Sequence, residues 1–407
     1  MTRRAIGVLA AIVAGCGGSI EPSAPTPAIT ETPIAAVAPT PTARRVVISA
    51  AGDLVLNALA MSSVRAHGDE AAGYRALLDG YARAVRDDEI VYLNLEMPLV
   101  DDVIPLEPGW APSATRESRA PVLGGTIALA GVLASIGVDV VGVANNHAYD
   151  QGYEGLRRTL AALDDARVAH AGTSSEGLER ALEPVILERD GARVAWISAT
   201  VQLNRRARGA GVIHLGRTSP IERIERAIRD ARARADVVVV APHWGRDFAM
   251  RADSEQRALA RAFVDAGADV VLGTGPHVLH EVARVPSARG EAIVAYSLGN
   301  VASGMGRAYR VGHEPPERVH PANVRAEGRD GLVLRVAMTL DDDGAITIER
   351  VEGIPLWTEN DFLADPDAVP HVRVVPLDEA AREVRAEREP AMRAALGDAI
   401  ELVSIAR

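Results

Sequence analysis

The chain has 407 residues, of which 48% are hydrophobic, 24% charged and only 3% aromatic. That apolar fraction supports a large buried core, and the length allows up to about three domains of roughly 100–200 residues or one large α/β body. A formal charge of −11, from 55 acidic and 44 basic residues mixed along the chain without a long basic block, argues against a nucleic-acid partner.

Met1-Thr2-Arg3-Arg4 is a short positive start, and residues 5–15 form an apolar stretch too short to cross a bilayer as a mature helix. Val13-Ala14-Gly15-Cys16 then leads small residues into the one cysteine of the chain. The pattern predicts a lipoprotein signal over 1–15 and a bacterial lipobox, with Cys16 as the lipidated residue. A secretory signal with an incidental cysteine is the alternative. Acyl chains partition into a bilayer at about 0.8 kcal/mol per methylene, so several of them on Cys16 anchor a protein firmly. No thiol is left for a disulfide or a cysteine metal site. Residues 16–45 carry Pro22, Pro25, Pro27, Pro33, Pro39 and Pro41 among Thr, Ala and Ser, which predicts a disordered tether.

From residue 46, short β-branched runs alternate with helical stretches, the pattern of an α/β fold. Strands are predicted over 46–51, 90–95, 138–144, 194–198, 237–241, 270–272 and 293–297, and helices over 71–86, 126–136, 154–162, 221–235 and 254–266. Near-continuous Val, Ala and Ile point to strands covered on both faces. Residues 307–329 read as a long loop. Two further strands flank Asp341-Asp342-Asp343-Gly344, which reads as a hairpin turn rather than a calcium loop. A final helix is predicted from Leu377 to about Leu396.

Chemistry-bearing residues stand at the ends of these strands. Asp53 follows the first, Glu96 the second, and Asn145-Asn146-His147 with Asp150 the third. His243 closes the fifth, His277 follows the sixth, and Asn300 closes the seventh. Ligands of open α/β sheets bind outside the carboxyl ends of strands, so these groups should meet at one edge. Each has a plainer reading: Asp53 as a turn or cap residue, Glu96 as a loop carboxylate, the histidines as packed core residues. As a set they suit Mn, Fe or Zn. Such ions, paired about 3.5–4 Å apart, can clamp both oxygens in a phosphoryl displacement. A serine nucleophile is disfavoured, since no Gly-x-Ser-x-Gly elbow occurs. Arg205, Arg206 and Arg208, with Arg307 and Arg310, read as solvated loop residues, and contact with an anionic polymer is the alternative.

Gly52-Asp53, Asn94-Leu95-Glu96, Ala144-Asn145-Asn146-His147, Asp150, His243-Trp244-Gly245, Pro276-His277-Val278 and Ser297-Leu298-Gly299-Asn300 resemble, in order, the motifs of the CapA, or poly-gamma-glutamate capsule synthesis, family. The resemblance implies a two-sheet α/β sandwich of the metallophosphoesterase type flanked by helices over 46–360, with 361–407 as a C-terminal extension. It implies two divalent metal ions: Asp53 and His277 as terminal ligands of one, Glu96 as the bridge, Asn146 and His243 on the other. His147 would donate a proton to the leaving oxygen, braced by Asn145 and Asp150, while Asn300 would pin its own loop. Two departures stand out. Gly275 replaces a histidine usual two positions before His277, which weakens the second metal site, with His280 as a candidate substitute. Arg246-Asp247 replaces a glutamate after His243-Trp244-Gly245, though Asp247 keeps a carboxylate nearby. The implied activity is a metal-dependent hydrolase acting on an anionic envelope polymer or a phosphoester, lipid-anchored in the bacterial cell envelope beside a polymer-synthase partner. The alternative is a non-catalytic scaffold that binds polymer through a degenerate metal cleft.

Overall fold

Strands built from alternating small and branched apolar residues carry the architecture, because both of their faces are covered. The computed structural model describes residues 44–85, 89–102, 121–205, 211–215, 220–314, 320–341, 343–363, 369 and 371–405. All of them lie in one compact unit, Pro41–Arg407. The signal at 1–15, Cys16, the tether through residue 43, Arg206 and Arg208 lie outside the described residues. No helix among the described residues is long and apolar enough to cross a membrane.

Among the described residues there are two main sheets, one of nine strands and one of six, with helices against them; the chain forms the expected two-sheet α/β sandwich. In the larger sheet, Arg44–Val55 runs parallel to Ile90–Leu95, Ile90–Leu95 pairs with Val140–Gly142, and Val140–Gly142 with Ala169–Ala171. On its other side Arg44–Val55 pairs antiparallel with Asp330–Leu340. In the smaller sheet, Ala192–Thr200, Val237–His243, Val270–Leu272 and Gly290–Ala295 are parallel neighbours. Alternation sorts each strand between two cores. Val46, Ile48 and Ala50 join Trp196, Val239 and Ile293 between the sheets, whereas Ala51, Leu54 and Val55 pack under the helices. Tyr92 stacks on Trp196 across the interior, with ring centroids 5.3 Å apart.

Three expectations change. The first strand does not end before Asp53 but continues to Val55, with a register shift beside Asp53. Gly52 permits this: a Cβ there would sit 2.0 Å from the Gly299 carbonyl oxygen, and the Asp53 N–H donates to that same oxygen at 2.9 Å. The closeness lets Asn300–Ser303 add as a parallel strand. Next, the segment read as a loop to residue 329 ends in a short helix, Pro321–Val324, and a 3-10 turn, Ala326–Arg329. Arg329 is anchored there, its guanidinium 4.3 Å over Trp357 and donating to the Thr358 carbonyl at 2.7 Å. Finally, residues after 360 are built into the larger sheet: Val372–Pro376 and Glu401–Leu402 both pair with Ile346–Asn360, and the terminal helix starts only at Arg382. The Asp341 turn closes a hairpin between Leu340 and Ile346.

Candidate metal centre

Both sheets deliver groups to one buried point. Asp53 lies on the central strand of the larger sheet, and Glu96 just past its neighbour Ile90–Leu95. Asn145, Asn146, His147 and Asp150 occupy the turn between Val140–Gly142 and the helix Gly152–Ala166. From the smaller sheet, His243 ends its strand and His277 sits in the loop after Val270–Leu272. All eight of these side chains are buried.

Asp53 is held on both oxygens. Asn94 Nδ2 donates to Oδ1 at 2.7 Å, and the Gly275 N–H donates to Oδ2 at 3.0 Å. His277 Nδ1 lies 3.3 Å from Asp53 Oδ2 and 3.7 Å from Glu96 Oε2. His243 Nε2 lies 3.5 Å from Glu96 Oε1, and its Nδ1 is 3.7 Å from Asp53 Oδ1 and 3.1 Å from Thr274 Oγ1. Asp53, Glu96 and His243 each offer a donor atom within 4.8 Å of the others. His277 faces the same carboxylates but is also engaged by Asn300 Oδ1 at 3.0 Å. Asn300 in turn donates through Nδ2 to the Gly328 carbonyl at 2.9 Å.

The residues fit a cation. Both carboxylate oxygens of Glu96 and Oδ1 of Asn146 are buried with no hydrogen-bond partner among the described residues. An orphaned buried acceptor is costly, and a metal ion satisfies it. Burial, reinforced by the charge on Asp53, pushes the Glu96 carboxyl well above its usual range. Burial acts the same way on Asp53, but the His277 hydrogen bond and the His243 and Asn94 contacts outweigh it and hold Asp53 below its usual value. Burial drives His243 down to about 4, which keeps it in the neutral form that ligates metals. His277 goes the other way, to about 10, because the Glu96 and Asp53 charges overcome its burial.

Beside this group, His147 Nδ1 lies 2.6 Å from Asp150 Oδ2, and its backbone N–H donates to Asn145 Oδ1 at 3.2 Å. Asn145 Nδ2 donates to the Leu95 carbonyl at 2.8 Å, tying this turn to the strand that carries Glu96. Asp247 is exposed, yet its charge acts on Glu96, His243 and His277. His280 turns Nε2 to the Ala249 carbonyl oxygen at 2.6 Å, while its Nδ1 is buried with no hydrogen-bond partner among the described residues. Gly275 is fixed by its backbone. Its φ is +109°, and a Cβ would lie 2.7 Å from the Trp244 carbonyl oxygen and 3.2 Å from His243 Nε2. A histidine cannot simply be put back there.

Sequence reasoning missed four contributors: Asn94, Thr274, Asn204 and Arg205. Asn94 had a signal, since it stands two residues before Glu96 and strand alternation puts both on one face. Arg205 had none. Grouped with Arg206 and Arg208 it read as solvated, but it is buried and pairs with Asp150 at 2.6 Å, 55 positions away in sequence.

Known proteins resemble the chain in sequence and in outline. Capsule biosynthesis protein CapA of Bacillus anthracis is 32% identical over 168 residues, covering 40% of this chain and 40% of that protein. PGA biosynthesis protein CapA of Bacillus subtilis (strain 168) is 32% identical over 177 residues, covering 42% and 43%. The match thus spans about two fifths of either relative's length. Among solved structures, the NAD nucleotidase of Haemophilus influenzae superimposes with a TM-score of 0.43 at 11% identity, over 89% of this chain and 58% of that one. A hypothetical protein from Thermus thermophilus gives 0.40 at 17% identity, over 76% and 98%. Residues 47–305, well over half of the chain, match the family described as bacterial capsule synthesis protein PGA_cap, and the chain belongs to that family.

Proposed function

We propose that this protein is a metal-dependent phosphoesterase-like hydrolase that works in the biosynthesis of a capsule or of poly-gamma-glutamate. The observation that carries this reading is the orphaned Glu96 carboxylate, wedged between Asp53 and His243 and next to a His147–Asp150 pair. Asp53 and His277 would hold one Mn, Fe or Zn ion, Asn146 and His243 would hold a second, and Glu96 would serve both. Such ions, when bound, supply positive charge for phosphoryl oxygens and acidify water. The chain's own groups do the rest. His147 gives a proton from Nε2 to the leaving oxygen, Asp150 holds Nδ1, and Asn145 fixes the turn that presents them. The surrounding apolar cores exclude water from the carboxylates, which strengthens their pull on a cation.

Placement in the envelope is part of the same proposal: Cys16 carries lipid and tethers the body near an anionic polymer and its synthase. Cys16→Ala should release the protein from membranes, and unchanged membrane association would refute the anchor. A scaffold reading, in which the cleft binds polymer without hydrolysis, is favoured by Gly275. Metal content of chelator-free protein, with hydrolysis of an aryl phosphodiester, separates the two. Bound metal and activity lost in Asp53→Ala and His147→Ala support the enzyme; no metal and no activity with polymer binding intact support the scaffold.

A further inference from the structure

We propose that Arg205 is a positioning residue that fixes, through Asp150, which nitrogen of His147 faces the cleft. The inference rests on the reading of His147 as the proton donor. Asp150 is fully buried and Arg205 nearly so. Asp150 Oδ1 accepts from Arg205 Nη1 at 2.6 Å. Its Oδ2 accepts the Leu123 N–H at 2.7 Å and faces His147 Nδ1 at 2.6 Å. Arg205 Nη1 also donates to the Pro121 carbonyl at 3.1 Å, so the guanidinium is anchored beyond the carboxylate.

The residue before it addresses the other side of the same ring. Asn204 Nδ2 lies 3.3 Å from His147 Nε2, and the Asn204 N–H donates to the Asn146 carbonyl at 2.9 Å. Consecutive residues therefore reach both nitrogens, one directly and one through Asp150. An ionised carboxylate only accepts, so the nitrogen facing Asp150 carries the hydrogen. Nε2 is left with its lone pair toward Asn204 and the cleft; it takes up a proton to form the imidazolium that Asp150 balances, and that proton is the one it gives to the leaving oxygen. The guanidinium balances the buried charge of Asp150 and, through Nη1, which also donates to the Pro121 carbonyl, holds Oδ1 in place. Without it Asp150 can turn away from Nδ1, and the ring is free to take either tautomer.

The test uses the full-length chain with 15N-labelled histidine, at a pH where the ring is neutral, and His147→Gln assigns the resonances. Ring nitrogen shifts should show the Nδ1–H form dominant in the wild type and lost to a mixture in Arg205→Gln. Arg205→Lys keeps the charge but not the guanidinium's placement between Asp150 and Pro121, and should fall between. With an aryl phosphodiester, kcat should drop about 10-fold in Arg205→Gln while KM stays within about twofold. A wild-type tautomer in both variants overturns the proposal whatever the activity. Should Arg205→Gln fail to fold, an unchanged tautomer in Arg205→Lys overturns it alone. A changed tautomer in a chain that hydrolyses nothing upholds the positioning role and sinks the catalytic reading instead.

Discussion

The two ends of the parallel strands treat acidic residues in opposite ways. At the amino ends, Glu89, Asp139, Asp236 and Asp269 each stand immediately before a strand, and each is matched by arginine. Asp139 accepts from the Val91 N–H at 2.9 Å and pairs with Arg189 at 3.0 Å. Asp236 accepts from the Arg193 N–H at 2.7 Å and pairs with Arg44 at 3.1 Å. Asp269 accepts from the Val238 N–H at 2.8 Å and pairs with Arg232 at 2.6 Å and Arg289 at 3.1 Å. Glu89 pairs with Arg335 and Ser49. At the carboxyl ends, Asp53 and Glu96 are more deeply buried than Asp139 or Asp236, yet the side chains facing them are histidines, of which His243 is held neutral. One end is finished electrostatically by the chain itself, and at the other both Glu96 oxygens are left without a hydrogen-bond partner among the described residues.

The largest expected effect breaks the symmetry of that comparison. Asp269→Ala leaves two arginines around a buried gap and should destabilise the fold by about 3–5 kcal/mol, read by denaturant unfolding, with metal affinity unchanged. Glu96→Gln should do the reverse. Relief of repulsion with Asp53 should leave metal-free stability equal to or above wild type, while metal affinity falls by more than about 100-fold, since ligand loss exceeds the 10–100-fold of supporting groups. Equal destabilisation by the two substitutions would erase the distinction.

A pH titration of stability sharpens it further. His243 is depressed from 6.5 to about 4 in the fold, so below 6.5 the unfolded chain takes up a proton that the folded chain refuses. Its contribution is fully present above 6.5 and is lost as pH falls to about 4. Glu96, raised in the fold, acts oppositely: without metal its contribution is lost as pH climbs above its ordinary value of 4.5. Unfolding at several pH values should therefore show a steeper acid limb in wild type than in His243→Asn. The same acid limb in both would contradict the assignment of His243.

Smaller effects come from Gly275 and Asp247. Gly275→Ala forces a side chain into φ +109° against the Trp244 carbonyl and should cost about 1–3 kcal/mol in thermal or denaturant unfolding. Asp247→Asn removes an exposed charge and should weaken metal binding by less than about threefold, measured by titration calorimetry.

Much of the fold was legible because its strands are uniformly apolar. Ile90–Leu95 and Val270–Leu272 match their predicted bounds, as does the helix Ser254–Ala266, whose Asp253 and Gln256 form a capping box. The ligand candidates were legible because each follows an apolar run in the sequence. What escaped depends on distant partners. The continuation of the first strand through Asp53 needs the approach of Gly299, and the burial of Arg205 needs Asp150. Neither partner is marked by local propensity or spacing.

Metal titration into chelated wild-type protein and Glu96→Gln is the most direct trial of a cation-dependent site. At least one tightly held equivalent of Mn, Fe or Zn is expected in the wild type, lost in the variant with the fold intact. A wild type that takes up none, or a variant that binds just as well, would contradict it.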